Sequence, residues 1–172
     1  MQNLFSYPLV VDELTPSVKN YSLQANEAQR EYIAEVLKVG RVLSFAADIN
    51  VKSDKKEHLV RVWGSARSEL ELTSVVSLEN FTKVYEPEFE LTFDTKLQPS
   101  DLREMEFKFD EDVPDLVVGG IIDLAAVAME QIALVIDDFP RREGEVFLFE
   151  SEFDEETTQQ ANPFNVLSAL KK

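Results

Sequence analysis

The chain contains no cysteine, which removes disulfides, thiol nucleophiles, thiolate zinc sites and iron–sulfur ligation from its chemistry. A reducing compartment agrees with that absence. Histidine is nearly as scarce. His58 is the only one, so histidine-based triads and multi-histidine metal sites cannot be assembled. It sits at a turn-to-strand boundary beside Lys55, Lys56 and Glu57, the setting of an ordinary surface side chain. Glycine, at 5 residues, is too sparse for a phosphate-cradling loop. Gly119-Gly120 has no Gly-Lys-Ser or Gly-Lys-Thr with it, so nucleotide binding is unsupported and no cofactor is expected. No apolar run approaches the length of a membrane span, and Met1-Gln2-Asn3-Leu4-Phe5 lacks the basic and apolar regions of a signal peptide. The expected location is the cytoplasm, with no membrane partner.

Positive charge is also short. Seventeen Lys and Arg against 33 Asp and Glu leave a formal net charge of −16, a field that repels the phosphate backbone at long range. Broad, non-specific binding of RNA is not expected, and no DNA partner is. The same field raises the encounter rate with a basic protein or a basic tail, an effect that salt weakens.

What is present is the material of a folded domain: 172 residues, 44% hydrophobic, with 12 Phe. A chain of this length buries about 70% of the surface it exposes when unfolded, and its apolar content is unlike the signature of disorder. After a short apolar stretch (Leu4 to Val11), Asn26-Glu27-Ala28-Gln29 predicts an N-cap with Gln at the third helical position. Gly40 is placed to close that helix. Tyr32, Ile33, Val36 and Leu37 give it one apolar stripe. From Arg41 to Val51 the spacing changes to two, with Leu43, Phe45, Ala47, Ile49 and Val51 on one face, and a turn follows at 52–56. A second run of period two, from Val60 to Val76, predicts a long bent strand or two strands broken near Gly64. Phe89, Leu91 and Phe93 continue the pattern, as do Met105, Phe107 and Phe109, in the manner of antiparallel strands with one wet face. Leu124 through Ile136 is apolar nearly all round, so this helix is expected to lie covered by the sheet, with Pro140 as its stop. Gly144 to Phe153 reads as a last strand. Beyond it Asn162-Pro163 predicts the start of a short helix carrying Phe164, Leu167 and Leu170 on one face.

Candidate chemistry is thin. Asp110-Glu111-Asp112 with Asp115 is the densest carboxylate cluster, but it lacks the spacing and central glycine of a calcium loop. No carboxylate pair is marked out for acid and base work. Arg61, Trp63 and Arg67 could line one strand face and contact single-stranded RNA by stacking and charge, with Arg141 and Arg142 as further contacts. Core or rim packing is the commoner role of such a Trp. Lys171-Lys172 complements the dipole of the last helix.

Two segments carry a family resemblance. Ile121-Ile122-Asp123-Leu124, running through Glu130-Gln131-Ile132-Ala133-Leu134 to Asp138-Phe139-Pro140-Arg141, resembles the signature of the YceD family, the large ribosomal RNA subunit accumulation proteins. The closing Asn162-Pro163-Phe164-Asn165-Val166-Leu167-Ser168-Ala169-Leu170 resembles the tail of that family's alphaproteobacterial branch. Leu72-Thr73-Ser74-Val75-Val76-Ser77-Leu78-Glu79 fits the segment where many members carry a Cys-x-x-Cys. Ser74 and Ser77 stand at the two cysteine positions, and serine hydroxyls do not replace thiolate zinc ligands. Packing or hydrogen bonds must hold that site instead. The resemblance implies a role in accumulation or processing of large-subunit ribosomal RNA.

The expected fold is thus α+β: an antiparallel sheet or open barrel with helices at 27–39 and 124–137 packed on it. Residues 1–150 are expected to form one domain, 151–161 an acidic linker and 162–172 an amphipathic helix. The expected function is non-enzymatic support of 23S ribosomal RNA accumulation, processing or ribosome assembly. The expected partner is a basic ribosomal protein or the preribosomal large subunit. Asn162, Pro163, Phe164, Leu167 and Leu170 are the candidate partner-binding residues, helix-in-groove recognition and docking on the chain's own sheet being equally open. The alternative is an acidic binding module or chaperone for basic proteins without ribosome specificity. An RNA-processing nuclease is the weakest rival, because such enzymes need positioned metal ligands.

Overall fold

The computed structural model describes residues 4–97 and 113–146. Internal contacts divide the chain into two compact units, Met1–Arg142 and Glu143–Lys172. The first unit contains, in order, β1 (Pro8–Val10), a single 3-10 turn (Val11–Glu13), β2 (Lys19–Gln24), α1 (Glu27–Leu37), β3 (Arg41–Asp54), β4 (Leu59–Thr73), β5 (Asn80–Tyr85), β6 (Glu88–Asp94), β7 (Asp115–Leu116), β8 (Ile121–Asp123) and α2 (Leu124–Val135). The class is α+β.

Strict alternation makes β3 and β4 the centre of the unit. The two strands pair antiparallel from Arg41 opposite Glu71 to Asp54 opposite Leu59. Their inner faces carry Phe45, Ala47, Ile49 and Val51 against Val60, Val62, Ala66, Leu70 and Leu72, all buried. Each Phe, Ile, Val and Leu among them contributes about 1.5–3 kcal/mol of transfer free energy. β2 flanks β3, and the order across the sheet is β2-β3-β4-β6-β7, with β5 also on β4. Every pairing in this sheet is antiparallel except β6 with β7, and the sheet does not close into a barrel. β1 and β8 form a separate antiparallel pair.

Of the two readings of Val60 to Val76, the one long strand is found, ending at Thr73, and the break falls between its partner strands instead. β4 runs unbroken, while β5 pairs with its second half and β6 with its first. Between them stand Glu86 and Pro87. Proline has no N–H to give a ladder, yet its carbonyl still accepts from Ala66 N at 3.1 Å, so register survives the break. Gly64 has a different reason for being glycine. A Cβ there would lie 2.0 Å from the Asp48 carbonyl oxygen of β3. The close approach of two backbones requires the missing side chain.

Several local expectations need correction. A bulge between Val42 and Ser44 shifts the alternation of β3, so Val42 is buried and Leu43 only half-buried. The strand runs on to Asp54, and the turn occupies 55–58. The Asp54 carboxylate accepts from the backbone N–H groups of Lys56 at 3.0 Å and Glu57 at 3.2 Å, which holds its carboxyl below the usual range. α1 has the expected capping box: Asn26 Oδ1 accepts from Gln29 N at 3.0 Å, and Asn26 N donates to Gln29 Oε1 at 2.9 Å. Its end is not at Gly40. Lys38 takes the left-handed cap at φ 56°, while Gly40 N donates to Glu71 O at 3.1 Å. α2 stops at Val135, with Ile136 already extended, before Pro140 acts.

The largest correction concerns coverage of α2. Leu124, Ala125, Val127, Ala128, Met129 and Ile132 are buried, but Ala126 and Ala133 are exposed and Leu134 is 72% exposed. Its sequence is apolar apart from Glu130 and Gln131, yet the sheet covers one side. On α1, likewise, Ile33 is buried and Val36 faces outward. The expected strand at Met105 to Phe109, the linker and the C-terminal helix lie outside the described residues, as does most of the strand expected over Gly144 to Phe153. Residues 143–144 form a turn, with Gly144 at φ 82°.

Gly64→Ala should lower the unfolding free energy by about 1–3 kcal/mol or more, because β3 must move to admit the methyl group. Urea denaturation of the two proteins measures it, and an unchanged midpoint would contradict the close approach.

Candidate functional site

The outer face of the sheet carries the residues proposed for RNA contact. Odd-numbered residues of β4 point outward, which places Arg61, Trp63 and Arg67 in one row, with Arg61 and Arg67 exposed and Trp63 half-buried. Arg61 lies over the Trp63 ring, 5.9 Å from its centroid. That much is a stacking platform. Its electrostatics point the other way. Arg61 is ion-paired with Glu90 and Arg67 with Glu86. A depression of about 630 Å³ beside Trp63 is lined by Asp48, Glu88 and Glu90. A phosphate arriving here meets these carboxylates as well as the guanidiniums, each of which already shares its charge with a glutamate. Exposed pairs of this kind contribute only about 0–1 kcal/mol to stability, so their main effect is on the surface potential.

Arg141 and Arg142 stand elsewhere, after α2. Arg142 Nη2 is 2.6 Å from Glu79 Oε2 and also donates to Asn80 O at 3.2 Å. Arg141 acts on the carboxyl of Asp137, whose pKa it helps to lower. The two groups of arginines therefore do not form one surface row. Asn162, Pro163, Phe164, Leu167 and Leu170 lie outside the described residues.

The segment that carries the family resemblance does structural work at its polar positions. Asp123 caps α2: its Oδ1 accepts from Ala125 N at 3.0 Å, Ala126 N at 3.3 Å and Tyr7 N at 2.8 Å. Its Oδ2 accepts from Ser6 Oγ at 2.6 Å. One carboxylate thus satisfies the helix start and ties β1 to it. At the other end Asp137 Oδ2 accepts from Lys83 Nζ and from Tyr85 OH, the latter at 2.9 Å. The Lys83 hydrogen bond holds the Asp137 carboxyl below the usual range, with Tyr85 adding to it. The same bond raises Lys83, and burial is the chief cause of a raised Tyr85. Asp54 and Asp137 are both lowered, the opposite of the raised carboxyl a general acid uses.

At the position where the resemblance implies cysteines, hydrogen bonds hold the turn. Ser74 is fully buried, and its Oγ accepts from Val76 N at 3.1 Å and Ser77 N at 3.3 Å. Leu78 reaches φ 59° to complete the turn, while Val75 N donates to Pro140 O at 2.9 Å. Among the described residues no group of three or more His, Asp or Glu is placed to hold a metal ion. No described helix is long and apolar enough to cross a membrane.

One surface escaped the sequence reading. Between the last turn of α1 and the outer side of α2 runs a groove of about 480 Å³. Val36, Leu37, Met129, Ala133 and Ile136 form its floor, with Ala126 at one end. Glu130, Asp137 and Asp138 stand on its rim. The signal was present in the all-round apolar composition of Leu124 to Ile136, which reads equally as a helix covered on every side. No family model, curated protein or solved structure matches the chain.

The Asp137 cluster yields a pH prediction with a definite sign. A carboxyl whose folded pKa lies below its unfolded value stabilises above the unfolded value, and that contribution is lost as pH falls through the folded one. Melting temperatures of the native protein and Asp137→Asn should therefore differ near neutral pH and converge below the ordinary carboxylate range. A gap that persists undiminished in strong acid would contradict the ionised pairing.

Proposed function

We propose that this protein is a non-enzymatic factor supporting the accumulation, processing or assembly of 23S ribosomal RNA. It works in the cytoplasm by binding a basic ribosomal protein or the preribosomal large subunit that carries one. The observation that carries this reading is the pairing of the arginines. Arg61, Arg67 and Arg142 are each bridged to a glutamate, so RNA arriving at these positions meets three guanidiniums that already share their charge. Against a basic protein the same net charge of −16 is attractive. The resemblance of 121–141 to the YceD signature supplies the ribosomal context, and the protein route reconciles that context with the charge. The sequence has no thiol, a single histidine and no recognisable metal-ligand motif for RNA cleavage, which supports a binding role.

Charge alone would also suit a holder of basic proteins with no ribosome specificity. Affinity capture from a bacterial lysate separates the two. Large-subunit ribosomal proteins and precursor particles should be enriched, and a strain lacking the protein should accumulate 23S precursors relative to mature 23S RNA. Equal capture of any basic protein, vanishing in moderate salt, with an unaltered ribosomal RNA profile, would assign the general role instead. Tight saturable binding of naked ribosomal RNA at physiological salt would overturn both.

A further inference from the structure

We infer that the groove between α1 and α2 is the docking site for an amphipathic, basic helix of the protein partner. The inference rests on the reading of this chain as a binder of basic proteins and names the place where that binding occurs. Its floor is apolar: Val36 is 45% exposed, and Leu37, Met129, Ala133 and Ile136 continue it. Leu134, at 72% exposure, and Val135, at 41%, lie on α2 beside it. Leaving such side chains in water is unfavourable, and each one covered gains about 25 cal/mol per Å² of apolar surface removed. Ala126 and Ala133 stand seven residues apart on one stripe of α2. Their small side chains let a second helix approach closely along about two turns.

Charge selects the occupant. The rim carries Glu130, Asp137 and Asp138, and no Lys or Arg lines the groove among the described residues. Asp137 is engaged by Lys83 and Tyr85, so Glu130 and Asp138 are the carboxylates that incoming cations would meet. The helix dipoles act in the same sense. The groove abuts the C-terminal turns of both helices, neither of which contains a basic residue, and a helix C-terminus favours positive charge within its last turn. Lys38, which follows α1, lines a separate cleft with Arg30 and Arg41. An apolar ridge at i, i+3, i+4 and i+7, flanked by Lys or Arg, complements both the floor and the rim.

The test uses the full chain and a fluorescent synthetic peptide of about 18 residues, about five helical turns, with Leu at that spacing and Lys elsewhere. The peptide should bind saturably and more weakly as salt rises. Ala133→Lys and Glu130→Lys change exposed helix positions, so melting temperatures should hold. Each should weaken binding about tenfold, about 1.4 kcal/mol. A peptide of the same composition with scrambled spacing, or with Glu in place of Lys, should lose binding. Native affinity in both variants, or equal binding of the scrambled peptide, would overturn the groove as the site. Affinity that rises about tenfold on deleting residues 162–172, and falls again in Ala133→Lys, would give the groove to the chain's own tail and overturn the partner helix. Failure here with ribosomal capture intact leaves the proposed function standing. Success here with capture of unrelated proteins removes only the ribosomal context.

Discussion

The first unit depends on the long antiparallel pairing of β3 with β4. That ladder supplies the inner face on which α1 and α2 pack, and it also fixes the polarity of the outer face. Its closest point is at Gly64, where the two backbones leave no room for a Cβ. Widening it there would part Trp63 and Ser65 from Asn50 and Asp48 on one face and the buried Val62 and Ala66 from Val51 and Ala47 on the other, so one residue sets both surfaces at once.

Around this ladder, polar side chains act as fasteners. Asp123 gathers the start of α2 and the entry to β1, Asp137 holds the exit of α2 to β5, and Ser74 closes the turn that follows β4. The segment resembling a family signature is therefore concerned with attaching α2 at both ends. What the attachment leaves exposed is the outer stripe of the same helix, where Ala126, Ala133 and Leu134 face outward. In this arrangement the acidic character of the molecule acts at particular places: Arg61 and Arg67 are paired with glutamates, while Glu130 and Asp138 stand beside an apolar floor.

Much of the architecture was legible because the core alternates with period two. Phe45, Ala47, Ile49 and Val51, then Val60 to Leu72, then Phe89 and Phe93, announce buried strand faces, and Asn26 with Gln29 announces a helix start. The misses have physical causes. β1, β2 and β5 are short or carry polar residues such as Lys19, Asn20, Thr82 and Lys83 on edges, where pairing with a neighbour rather than burial makes the strand. The bulge after Val42 defeats strict alternation. Lys38 stands in a left-handed cap that usually signals itself through glycine. For α2, composition specified a helix and could not specify which sides the rest of the molecule would cover. The arginine candidates were legible as residues, but their glutamate partners come from β6 and from the 79–86 region, which only the sheet brings beside them.

The bond between Ser6 and Asp123 spans 117 positions of the chain, and β1 pairs, among the described residues, with the similarly distant β8. During synthesis β1 therefore emerges first and waits unpaired while β2 through β7 are made. Closing so long a loop is entropically slow, which makes the joining of β1 to β8 a late event on the nascent chain. Until it happens α2 lacks the Tyr7 and Ser6 donors at its cap, so the start of that helix is secured only once the two distant strands have met.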